Sequence, residues 1–170
     1  MKKQLFFLLL FFAGFTLHGQ TGLFNLSYAL PLAEADSLLR SNGFAYKDSE
    51  GESHRYFPVD NAMVEAVLIF VEPKSERLAG WFIKYKPENT EADDNFVMET
   101  LQELHGKKNI FDEDTQQLIW LLSTTRSVHV LYSGDNSLTV LYFDAKFADY
   151  FKLKGHPQGS SAPETPKPPE

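Results

Sequence analysis

The 170-residue chain contains no cysteine. Disulfides, thiolate metal ligands, a cysteine nucleophile and the acylated cysteine of a lipoprotein are therefore excluded, and an exported fold must rest on its core alone. Histidine is scarce as well. Beyond the first twenty positions only His54, His105, His129 and His156 occur, and no two have the i, i+3 or i, i+4 spacing that pairs metal ligands on a helix. There is no HExxH, no GxSxG and no glycine-rich strand-to-helix loop, which removes the usual signatures of zinc hydrolysis, serine acylation and phosphate binding. The stretch DEDTQQ, residues 112–117, begins like a calcium loop without its central glycine and closing glutamate, and reads as a capped turn between helix and strand. Acidic pairs such as Glu88 with Glu91 and Asp93 with Asp94 stand in a polar linker before a helix, where capping and solvation account for them. No metal and no cofactor is expected.

Long apolar runs and positive charge are also lacking. The longest apolar run, residues 5–15, is far shorter than the roughly 20 residues of a bilayer-spanning helix. Preceded by Lys2 and Lys3 and followed by small and polar residues, it reads as a secretory signal over residues 1–19, the alternative being an uncleaved anchor. The expected product is periplasmic or secreted, with no stable membrane anchor. Loss of the two leader lysines takes the formal charge from −7 to −9, which suits neither nucleic acid nor an anionic membrane. Residues 155–170 carry five prolines and no aliphatic side chain larger than alanine, so they read as a disordered tail. One α+β domain over residues 20–154 remains.

Within it, two segments have helical periodicity. PLAEADSLLRSNGF places Leu32, Ala35 and Leu39 on one stripe, with Pro31 suited to the first turn and Gly43 to the left-handed cap. TEADDNFVMETLQELHGKK places Val97, Leu101 and Leu104 on another, with Asp93 or Asp94 as the cap, His105 in the last turn and Gly106 as the stop. Gly43 and Gly106 lie 63 residues apart, and the same offset carries RYFPV onto LIWLL and VEAVLI onto SVHVLY. Past the hairpin an offset of 60 carries GWFIK onto VLYFD. Each half then reads helix, strand, strand, strand: a tandem αβββ repeat over residues 31–86 and 93–145, or else two hairpins alike because hairpins are common. The expected architecture is a largely antiparallel sheet of about six strands with two helices on one face.

A short strand LFNLSYAL, a helix from Pro31 to NGF and an aromatic-rich meander make this order resemble the β-lactamase-inhibitor-protein fold and the small outer-membrane assembly lipoproteins of the SmpA/OmlA type. The resemblance spans roughly residues 22–145 and implies a periplasmic or secreted binding module without catalysis. It carries no site residues, and the lipoprotein cysteine is missing.

The strands are apolar at neighbouring positions, so both faces of the sheet are apolar and two helices can cover only one. The other needs a cover: the other half of the chain, a second subunit or a ligand. If Gly134, Asp135 and Asn136 form a three-residue turn, His129, Leu131, Thr139, Leu141 and Phe143 share a face, and the repeat brings Trp81, Ile83 and Tyr85 onto it. Trp81, Ile83, Tyr85, His129, Leu131, Leu141 and Phe143 are thus the candidate partner-binding set. The alternative places them in the helix-facing core, with His129 hydrogen-bonded inside it. Three functions follow: a non-enzymatic protein-binding module of the bacterial cell envelope, a small periplasmic hydrolase centred on His129, or a homodimer whose sheets pack together.

Overall fold

A computed structural model describes residues 20–151; the expected signal sequence and Pro-rich tail lie outside these residues. Two α-helices, α1 (Leu32–Ser41) and α2 (Glu91–His105), alternate with two four-stranded antiparallel meanders. The first meander comprises β1 (Phe44–Glu50), β2 (Ser53–Pro58), β3 (Val64–Glu72) and β4 (Arg77–Tyr85). The second comprises β5 (Ile110–Asp112), β6 (Gln117–Leu121), β7 (Arg126–Tyr132) and β8 (Leu138–Asp144). Their last strands pair with each other, giving one eight-stranded sheet in the order β1-β2-β3-β4-β8-β7-β6-β5.

The sheet therefore has eight strands rather than about six, and each half carries four rather than three. The two unforeseen strands, β1 and β5, are the edges. Edge strands are commonly charged or short, so their hydrophobic alternation is faint. The segment LFNLSYAL is not a strand: Leu23–Asn25 form a 3-10 turn, and Phe24, Asn25 and Ala29 all have positive φ.

Both helices stop where a left-handed residue is required. Gly43 has φ 82° and Gly106 has φ 83°, values at which a Cβ is strained. The start of α2 differs from expectation: Thr90 is the cap, accepting from the Asp93 amide while the Asp93 carboxylate accepts from the Thr90 amide. Asp93 is the reciprocal partner three residues on. Residues 112–117 close a hairpin between β5 and β6, not a helix–strand link, and Asp112 Oδ1 accepts from the amides of Asp114 and Thr115. The β7–β8 turn does run through Gly134, Asp135 and Asn136, with the Ser133 amide donating to the Ser137 carbonyl at 2.9 Å. Asn136 takes the left-handed position, φ 63°.

Ala35 and Leu39 of α1 and Val97 and Leu101 of α2 belong to one buried cluster with Tyr56, Val67, Ile69, Trp81, Ile83, Trp120, Val128, Val140 and Tyr142. The ladders Ile69↔Trp81, Trp81↔Tyr142, Val128↔Tyr142 and Trp120↔Val128 put these sheet residues on a single face. At its centre Trp81 stacks on Tyr142, ring centroids 4.2 Å apart and 13° from parallel. The chain entering α1 is pinned to the second half: the Leu23 amide donates to the Tyr142 hydroxyl at 3.1 Å, and the Tyr28 hydroxyl donates to the Phe143 carbonyl at 3.1 Å. The Arg126 guanidinium lies over the Tyr28 ring and pairs through Nε with the buried Asp144 at 3.0 Å.

Candidate functional site

Side chains at successive strand positions point to opposite faces, so the residues between those just named form the face away from the helices. One cross-strand row crosses it from edge to edge: Asp48↔Arg55, Arg55↔Leu68, Leu68↔Phe82, Phe82↔Leu141, His129↔Leu141, Ile119↔His129 and Ile110↔Ile119. None of the eight residues in this row is buried. Five large apolar side chains and one imidazole thus lie side by side, left at least partly accessible by the described residues. An ion pair between Arg55 and Asp48 terminates the row at the β1 edge.

The flanking rows differ. Toward the end of the chain, 3-10 turns over Ala145–Phe151 fold back across the face. The Phe151 ring packs on Phe70 at 4.5 Å and on Phe143 at 4.9 Å. Gly80 lies beneath that ring, and a Cβ there would collide with both the ring and the Tyr142 carbonyl. On the other side the row is polar: Lys84 bridges Glu65 at 3.0 Å and Asp135 at 2.6 Å, and Thr139 shares a hydrogen bond with Ser133. Asp135 is held well below the usual carboxylate range by the Lys84 ammonium and by donors from Ser137. The open face is therefore an apolar strip with an aromatic lid at one side and a charged border at the other.

His129, at the middle of the strip, is held at both ring nitrogens. Nδ1 lies 2.9 Å from Gln117 Oε1 and Nε2 lies 2.8 Å from Ser127 Oγ. Gln117 Oε1 can only accept, so Nδ1 carries the proton and Nε2 accepts from the serine hydroxyl. Burial keeps His129 below the ordinary value of 6.5, opposed by the Asp112 carboxylate. The imidazole is thus set as a neutral, oriented group. The arrangement has the connectivity of a serine–histidine pair, but a carboxamide carries no charge to stabilise the imidazolium that serine activation would form. It can order a surface; it is poorly equipped to activate a nucleophile.

Four of the seven candidates, His129, Leu131, Leu141 and Phe143, share this open side, and Thr139 lies with them across from Leu131. Trp81, Ile83 and Tyr85 do not. Trp81 pairs with Tyr142 and Ile83 with Val140, so all three point toward the helices and are buried. The offset of 60 is out of step by one residue: the ladder aligns Leu141 with Phe82, not with Trp81. A slip of one in a strand exchanges its faces. The members the sequence pattern missed are Phe82, Leu68, Ile119 and Ile110, together with the two residues that hold His129. Ser127, two positions from His129 on one strand, was within reach of the alternation rule.

Tyr85 instead borders a cleft of about 320 Å³ on the helix side, walled by Phe24, Met63, Phe96 and Leu104. The other polar contact on that side joins His105 Nε2 to the Tyr142 hydroxyl at 2.9 Å, and burial lowers the His105 value. Since the phenol accepts from Leu23, its own proton goes to a neutral His105. Among the described residues no group of three or more potential metal ligands occurs, and no helix is long and apolar enough to cross a membrane.

No family model, no curated protein and no solved structure matches this chain.

Proposed function

We propose that the protein is an exported, non-enzymatic binding module of the bacterial cell envelope, and that it holds a protein partner on the open face of its sheet. The observation that carries this reading is the unburied row Leu68, Phe82, Leu141, His129, Ile119 and Ile110, continuous across six strands. Contiguous apolar surface of this kind is costly to leave in water and marks association sites. Its centre is apolar while its Lys84 side and its β1 end are charged, as at the rim of protein–protein interfaces, and the locked imidazole supplies an oriented polar contact at the middle. The partner surface that fits is an apolar ridge with an acceptor or donor opposite His129.

The test is hydrogen exchange and capture with the mature chain beside Phe82→Ser and Leu141→Ser. The reading expects both variants to stay folded and to lose capture of a specific envelope protein, and expects that protein to protect β4, β7 and β8 in the wild type. Equal capture by wild type and variants would overturn it. Cell fractionation addresses the location separately, with the protein expected outside the cytoplasm.

A further inference from the structure

We infer that the β5 edge of the sheet docks on the β5 edge of a second copy of this chain, joining two eight-stranded sheets into one. This goes beyond the partner reading and does not depend on it.

The two edges of the sheet are not alike. At β1 the ladder shifts between Tyr46 and Asp48, and the strand carries Lys47, Asp48 and Glu50. A bulge and charges of this kind discourage pairing with other chains. At β5 the ladder runs without a shift, and the strand offers Ile110, 52% exposed, and Phe111, 55% exposed. Phe111 also borders a hollow of about 520 Å³ with Met98 and Tyr132, so helix α2 leaves that side of the edge uncovered.

What identifies the occupant is the charge order. The sequence through this edge reads Lys107, Lys108, Asn109, Ile110, Phe111, Asp112, Glu113, Asp114, basic before the apolar pair and acidic after it. Two copies in antiparallel pairing about a two-fold axis set the basic end of each against the acidic end of the other. Because residues opposite each other must share a face, the axis passes through a residue position. The strand itself is Ile110–Asp112; Lys107 and Lys108 stand just before it, and Glu113 and Asp114 stand in the turn just after it. An axis at Ile110 or at Phe111 brings the basic end of each copy to the acidic end of the other on both sides of the dyad. Lys107, Lys108, Glu113 and Asp114 are exposed and make no ion pair within the described residues, so their charges are available across the edge. A three-residue edge buries little surface, so the association is weak and salt-sensitive.

The test is sedimentation of the mature full chain, up to about 1 mM at low ionic strength, beside three charge variants. Lys107→Glu with Lys108→Glu makes one strand end acidic throughout; Glu113→Lys with Asp114→Lys makes the other basic throughout; the fourfold variant inverts both. The wild type is expected to dimerise and to dissociate with salt. Each double variant alone should be monomeric with an unchanged melting temperature. The fourfold variant, and an equimolar mixture of the two double variants, should regain the dimer. A wild type that stays monomeric at the highest concentration overturns the proposal. So does a dimer indifferent to all three variants, or one abolished by Phe82→Ser instead, which would assign association to the open face.

Discussion

The two faces of this sheet are built from the same strands and both carry large apolar side chains, yet they have opposite fates. On one, Trp81, Tyr142, Trp120 and Ile69 are sealed beneath α1 and α2. On the other, Phe82, Leu141, Leu68 and Ile119 stay partly accessible, while Phe70 and Phe143 receive a cover from Phe151. The side chains alone do not decide which face is core. The decision comes from where two short helices land, and from the aromatic pair Trp81–Tyr142 that meets them across the β4–β8 seam.

The largest effect that would break this contrast comes from its covered side. Trp81→Ala should remove about 3–5 kcal/mol of stability, because a large ring in a closed core leaves a cavity; denaturant unfolding measures it. Arg126→Ala should cost about 3 kcal/mol by leaving the buried Asp144 carboxylate without its cation and stripping the guanidinium from the Tyr28 ring. On the open side Phe82→Ser should cost only about 1 kcal/mol while it abolishes partner capture. A loss as large as that of Trp81→Ala would show that the two faces are equally core and would remove the proposed binding strip.

A smaller effect separates the faces by pH. His54, His105 and His129 are all lowered by burial in the folded chain. The unfolded chain therefore binds more protons near its ordinary histidine value of 6.5. Stability is fully present above that value and erodes as the pH falls below it. The melting temperature should drop between pH 7 and pH 5, and His129→Asn should make the drop shallower. An unchanged slope in that variant would mean that the open-face imidazole is no more desolvated when folded than when unfolded.

Much of the plan was legible from residue order. Gly43 and Gly106 announced the ends of both helices, and Gly134 to Asn136 announced the hairpin that sets His129, Leu141 and Thr139 on one side. What misled was the parity of β4 relative to β8. GWFIK and VLYFD are apolar at nearly every position, so alternation offered no anchor, and an even offset looked as good as the odd one the ladder requires. The edges were hidden for the opposite reason. β1 is largely polar and β5 is three residues long, so neither has a periodic signal. The segment before α1 looked extended because it is apolar, but three left-handed residues fold it into a knot of turns instead.

That knot sets the order of events along a growing chain. The earliest described residues, Gln20, Leu23 and Tyr28, bond to Leu122, to the Tyr142 hydroxyl and to the Phe143 carbonyl. Each meander can assemble from neighbouring hairpins as it is made, because its contacts are local. The start of the domain nevertheless lacks its partners Tyr142 and Phe143 until the last strand, β8, exists. No N-terminal portion of the domain can reach its final packing alone. A ribosome would therefore release nearly the whole domain before its first residues reached their final packing.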